Sequence, residues 1–217
     1  MPIIRMYNLI IQLYKRSDVA QHNTKAEILS SAVALFAEKG FDGVSLRDIS
    51  ERSKANLNSI RHHFGSKQDL LLFVFDQFDR SVFEAPLRIL DGESRTPGEF
   101  RTRFSLFFKE VLTQMLQQKE VFRILFYEGH RSEKDYQYVP QQAAIVKFLR
   151  QGQQNDLITK KLNPEMICGS IMDRIMPQVL FAEHLKDAFG SDIQDEAYRE
   201  EWIEATVDLF LYGLFVR

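Results

Sequence analysis

The chain has 217 residues, 45% hydrophobic and 27% charged, with 28 Lys and Arg against 30 Asp and Glu for a net charge of −2. This balance, with only six prolines and ten glycines, is that of a soluble globular protein and leaves little room for long disordered stretches. A single cysteine, Cys168, excludes an intrachain disulfide and a multi-cysteine zinc site, and points to a reducing, cytoplasmic setting.

The net charge hides an asymmetry: residues 1–67 hold ten Lys and Arg against six Asp and Glu, so a polyanion should meet the N-terminal third. The first segment, "YNLIIQLY" (7–14), is too short to span a bilayer and is interrupted by Asn8 and Gln12. It lacks a cleavage pattern, so the expectation is no signal peptide and no membrane.

From Thr24 onward, helix signals dominate. Thr24 with Glu27, Ser45 with Asp48 and Ser66 with Asp69 each match the S/T-x-x-acid pattern, in which a hydroxyl caps an orphan N–H and the acid reaches back. The first helix predicted this way runs from Thr24 to Lys39, carries Ile28, Leu29, Ala32, Val33 and Phe36 on one face, and stops at Gly40. After the "GFDG" turn, a short helix runs from Ser45 to about Arg52, followed by the three-residue turn "SKA". Asn56 then caps a third short helix in which Ile60 and Phe64 point inward while Leu57, Asn58, Arg61 and His62 point outward. Gly65 ends it, and Ser66 starts the next.

Beyond residue 66 come longer amphipathic segments at about 67–84, 99–117, 119–131, 140–155, 164–187 and 196–216, separated by "APLRILDGESRTPG", "RSEKDYQ", "TKKLNP" and "FGSDIQ". Pro177 should kink or split the fifth of these. No convincing strand is present. The fold class expected is all-α, an N-terminal three-helix helix-turn-helix domain joined to a larger helical domain. The boundaries are an extension at 1–23, the helix-turn-helix domain at 24–71 and the larger helical domain at 72–217.

The stretch "NLNSIRHHFGSKQDLL" (56–71) concentrates polar and basic groups that metal binding, catalysis or nucleic acid could each use. Metal binding fits poorly: on a helix, His62 and His63 project roughly 100° apart, whereas helical ligand pairs use i, i+3 or i, i+4 spacing. Cofactor and nucleophile motifs such as G-x-G-x-x-G, G-x-x-x-x-G-K-[ST], H-E-x-x-H and G-x-S-x-G are absent, so no cofactor is expected. Nucleic acid fits the geometry. Two short helices joined by a three-residue turn and braced by a preceding amphipathic helix make a helix-turn-helix, whose second helix enters a major groove. Asn58 and Arg61 suit base edges, Leu57 a thymine methyl, and His62, His63 and Lys67 the phosphates, with Lys67 a mobile charge at the helix start at Ser66. Ser45, Arg47, Asn56 and Ser59 complete the DNA-facing set.

The run "TKAEILSSAVALFAEKGFDGVSLRDISERSKANLNSIRHHFGSKQDLL" (24–71) resembles the DNA-binding domain of TetR-type transcriptional regulators. His63, Phe64, Lys67 and the following leucines stand where that family has its His-Phe, Lys and Leu. Arg61 and His62 depart from the aromatics usual before the histidine, and Asn58 replaces a small glycine. The resemblance implies that 24–71 is a DNA-binding domain and 72–217 a regulatory domain for effector binding and dimerisation, in a homodimer that binds duplex DNA and a small-molecule effector, the ligand releasing a repressor from a palindromic operator.

The residues beyond 71 must supply the effector site's character. Phe104, Phe107, Phe108, Phe122, Phe126, Met172 and Met176 offer flat rings and thioethers for an apolar or amphipathic ligand, with His130 and Arg174 as polar partners. Plain core is the competing reading of the same residues. The dimer is expected from 164–187 and 196–216, where Trp202, Ile203, Val207, Leu209, Phe210, Leu211, Leu214 and Phe215 crowd one segment. Two alternatives stay open: an all-helical enzyme or carrier using the phenylalanine-rich core, and an adaptor that binds only protein.

Overall fold

The computed structural model describes residues 19–128 and 139–212, with side chains from Thr24 and from Gln141 in the two stretches. Its elements are ten helices, with no strand among the described residues. In chain order they are α1 (Val19–Lys39), α2 (Leu46–Ser53), α3 (Leu57–Phe64), α4 (Lys67–Leu90), α5 (Pro97–Gln117), α6 (Lys119–Glu128), α7 (Val139–Gln154), α8 (Pro164–Leu180), α9 (Ala182–Phe189) and α10 (Glu196–Tyr212).

The chain divides into two compact units, one reaching to Asp79 and resuming at Gln117 to Tyr136, the other comprising Arg80–Leu116 and Gln137–Arg217. This differs from a division at residue 71. The helix α6 joins the first unit because it packs on α1, a long-range pairing that local sequence patterns do not encode.

In the first unit α1 packs on α2 and α2 on α3. The reason is the apolar face read above: Ile28, Ala32 and Val33 are at most 1% exposed, and Ile49 of α2 and Ile60 of α3 are fully buried. Each such side chain contributes about 1.5–3 kcal/mol on leaving water. The start of α1 is a correction. Thr24 lies inside a helix that begins at Val19, so it is not an N-cap.

In the second unit α5 is the spine, with Phe100, Phe104, Phe107, Phe108, Val111, Leu112 and Met115 all buried. Phe148 of α7 stacks on Phe100 with ring centres 4.4 Å apart and planes 10° from parallel, while Phe210 of α10 meets Phe104 and Phe108 at 6.2 and 5.9 Å. Gly152 makes room for that stack, because a Cβ there would lie 2.5 Å from Cε2 of Phe100. Along α10, Arg101 bonds Glu204 and Asp208, and Lys109 bonds Glu200. These pairs are partly exposed, so they set register more than they stabilise.

Helix α4 runs further than the sequence pattern implies, passing through Pro86 to Leu90 where "APLRIL" reads as loop. Two observations explain it. Leu90 is buried, 4% exposed, and the guanidinium of Arg103 donates to the carbonyls of Ile89 at 2.7 Å, Gly92 at 2.9 Å and Asp91. Those carbonyls, which lack partners at a helix end, are thereby satisfied from α5.

The segment 164–187 is divided, but not at Pro177, which lies inside α8. Helix α8 ends at Leu180, Phe181 donates its N–H to the Pro177 carbonyl at 2.9 Å, and α9 restarts at Ala182. Helix α10 buries Trp202, Ile203 and Val207 within its own unit, so much of its apolar surface serves the subunit itself; Leu214 and Phe215 lie outside the described residues.

Candidate nucleic-acid interface

The site is built by three helix starts and the turns before them. Ser45 has extended backbone; its Oγ accepts from the Asp48 N–H at 3.2 Å while the Asp48 carboxylate accepts from the Ser45 N–H at 2.7 Å. Both orphan groups are satisfied reciprocally, a cap that contributes about 1 kcal/mol. Its hydrogen bonds to the Ser45 side chain and backbone hold the Asp48 carboxyl below the usual carboxylate range. Asn56 caps α3 by accepting from the Asn58 N–H at 2.8 Å through Oδ1. Ser66 and Asp69 repeat the reciprocal box at the start of α4, with Ser66 N–H to Asp69 Oδ2 at 3.0 Å and Asp69 N–H to Ser66 Oγ at 3.1 Å.

Between the first two caps lies a turn held by serines. Ser53 Oγ donates to the Ile49 carbonyl at 2.7 Å and accepts from the Ala55 N–H at 3.3 Å, while Ser50 Oγ donates to the Ala55 carbonyl at 2.6 Å. This fixes the angle between α2 and α3. Lys54 turns the chain at φ 57° and ψ 16°, in the left-handed region.

Helix α3 presents its residues as the periodicity requires: Ile60 and Phe64 are buried, and Asn58, Arg61 and His62 are exposed. Leu57, Ser59 and His63 are half-buried. His63 meets His62 edge-on at 5.3 Å and Phe64 at 6.2 Å, and burial, with the charge of Lys25 and the neighbouring His62, holds its imidazole below the ordinary value. Lys25 lies over the rings of Phe64 and Phe73 at 5.8 and 5.6 Å, fastening α1 to the far end of α3.

The structure sorts the DNA-facing set by what each side chain already does. The polar groups of Ser45 and Asn56 serve as caps. Lys67 is not a mobile charge: its Nζ donates to the carbonyls of Phe41 and Val44, both at 2.7 Å, and sits 4.1 Å from the Phe41 ring centre. Arg52 pairs with Glu38 at 2.8 Å and ties α2 to α1. Among the described residues, the side chains of Arg47, Lys54 and Arg61 make no such bond and are exposed. Lys54 carried no sequence signal beyond its place in a three-residue turn.

The effector set separates between the two units. Phe122 stacks on Phe78 at 5.9 Å in the first unit, where Phe126 is half-buried. Phe104, Phe107 and Phe108 are at most 1% exposed in the second unit, close-packed against other rings. Met172 and Met176 are half-buried; Arg174 is exposed, lies 5.3 Å from the Trp202 ring and donates to Thr206 Oγ1 at 3.3 Å. His130 lies outside the described residues. Among the described residues no group of three or more His, Cys, Asp or Glu could hold a metal ion, and no helix is long and apolar enough to cross a membrane.

An all-helical chain whose second short helix projects polar side chains from a capped, serine-locked turn is a helix-turn-helix protein. Residues 28–74 match the family described as bacterial regulatory proteins, tetR family. The chain is 34% identical over 82 residues to the HTH-type transcriptional repressor Rv3405c of Mycobacterium tuberculosis, covering 36% of this chain and 44% of that one. It is 40% identical over 50 residues to the HTH-type transcriptional repressor AcnR of Corynebacterium glutamicum, covering 23% and 27%. The chain thus spans less than half the length of these curated relatives. Its fold matches the crystal structure of the TetR family transcriptional regulator PfmR from Thermus thermophilus with a TM-score of 0.67, at 18% identity, covering 89% of this chain and 98% of that one.

Proposed function

We propose that this protein is a DNA-binding transcriptional regulator, a repressor that recognises a palindromic operator as a homodimer and is released by a small apolar or amphipathic effector. The observation that carries the reading is the division of α3: Ile60 and Phe64 are spent on the core, so Asn58 and Arg61 are left exposed at helical spacing on the opposite side. Amide and guanidinium groups so placed can bond base edges in a major groove. The two relatives are named as repressors and favour the same direction, their likeness to this chain being confined to the matched regions.

Dimerisation is supported by apolar side chains left uncovered on α8 and α10, where Met166 is 72%, Tyr212 52% and Leu209 38% exposed. Two copies related by a two-fold axis would present two recognition helices to half-sites roughly 34 Å apart. For the effector, the half-buried Met172 and Met176 and the exposed Arg174 are the adaptable groups. A ligand that favours the DNA-incompetent form must bind it more tightly, so effector and operator lower each other's affinity by one factor. The test is fluorescence anisotropy on duplexes from the DNA flanking the coding region, repeated with aromatic acids, fatty acyl compounds and hydrophobic cations. Binding that no compound relieves would remove the effector from this reading. The alternatives of an enzyme or carrier and of a protein-only adaptor find no support in the comparisons, and specific duplex binding would set them aside.

A further inference from the structure

Of the cations in the helix-turn-helix, Lys67 and Arg52 are bound within the fold, which leaves the phosphate contacts to others. We propose that Lys54, in the turn between α2 and α3, is a phosphate-contacting residue of the DNA interface, its charge kept at a backbone position that glycine would occupy with less strain. The inference rests on the regulator reading and adds to it a residue outside both helices.

Three observations support it. First, Lys54 is at φ 57°, where a Cβ crowds the backbone and glycine is the residue without that penalty. The conformation cannot relax, because Ser53 and Ala55 on either side are buried and locked by the Ser50 and Ser53 hydroxyls. Strain that the surroundings over-determine is what functional positions show. Second, the side chain is exposed and makes no hydrogen bond or ion pair among the described residues, so none of them recovers that strain. Third, Lys54 stands two residues before Asn56, the cap of the recognition helix, and so within about 7 Å of chain from the helix end that enters a groove. A flexible, strongly charged ammonium there reaches a phosphate on the groove wall without needing a fixed rotamer.

Strain and charge make opposite predictions for one substitution. Lys54→Gly should raise the thermal unfolding midpoint by about 2–4 °C. It should at the same time weaken binding roughly 3- to 10-fold, equally on the flanking-DNA duplex and on a random duplex, and lower the salt slope by about 0.9 per DNA-binding head. Lys54→Arg should keep the wild-type salt slope without the gain in midpoint. If wild-type protein binds the flanking duplex and Lys54→Gly matches it in affinity and slope, Lys54 is a solubilising surface residue and the inference fails while the regulator reading stands. A lower midpoint for Lys54→Gly would overturn the strain argument. Wild-type protein that binds neither duplex would remove both.

Discussion

Lys67 donates to the backbone carbonyl of Val44 across 2.7 Å, joining the first residue of α4 to the turn that launches α2. A second bond of the same length to Phe41, and the ring of Phe41 4.1 Å away, make this cation a rivet of the helix-turn-helix. Hydrogen bonds from a charged donor contribute about 1.5–3 kcal/mol. Lys67→Met should therefore lower the stability measured by urea unfolding by that much with little change in m, and lower DNA affinity with no change in salt slope. A reduced slope with unchanged stability would return Lys67 to the phosphate-contacting role read from the sequence.

Ile60 and Arg61 are neighbours with opposite tasks, one fully buried and the other exposed. Ile60→Ala should cost about 2–5 kcal/mol of stability. Arg61→Ala should leave stability within about 0.5 kcal/mol while costing about 1–3 kcal/mol of discrimination at one base position. Competition binding against single-base operator variants measures the second effect; equal loss on every duplex would remove Arg61 from base reading.

These contrasts show what the sequence made legible. The caps at Ser45, Asn56 and Ser66 and the inward Ile60 and Phe64 depend on neighbours within four residues, and each stands where the local pattern puts it. The Lys67 bonds span 26 and 23 residues, and Arg103 reaches 14 residues back to hold the end of α4. Contacts of that range leave no periodic trace. Thr24 marks the complementary failure: a capping pattern occurs by chance inside a helix that has already begun at Val19.

Gly152 exposes the same long-range logic in the second unit. A methyl group there would meet Phe100 at 2.5 Å, and Phe100 is held by its stack on Phe148. Gly152→Ala should destabilise by about 1–3 kcal/mol through overpacking, despite alanine's better helix propensity. An unchanged or higher thermal midpoint would mean the ring can move aside.

His63 gives the fold a pH dependence whose sign follows from its surroundings. Burial, Lys25 and His62 lower its folded pKa below the ordinary 6.5, so the unfolded chain binds the proton more readily. Stability at His63 is present above 6.5 and falls as pH drops through that value towards the lowered folded one. In DNA-free protein, His63→Gln should flatten this part of the stability-against-pH curve. A slope that persists in the variant would place the titration elsewhere.

The central claim, that α3 reads a duplex, is tested most directly by anisotropy titrations of wild-type protein on DNA flanking its coding region and on random duplex over a range of salt. The account predicts saturable binding at least about 10³-fold tighter on one flanking sequence, with log affinity falling linearly against log salt on both. Equal affinity for the two duplexes at every salt concentration, or binding to neither, would contradict it.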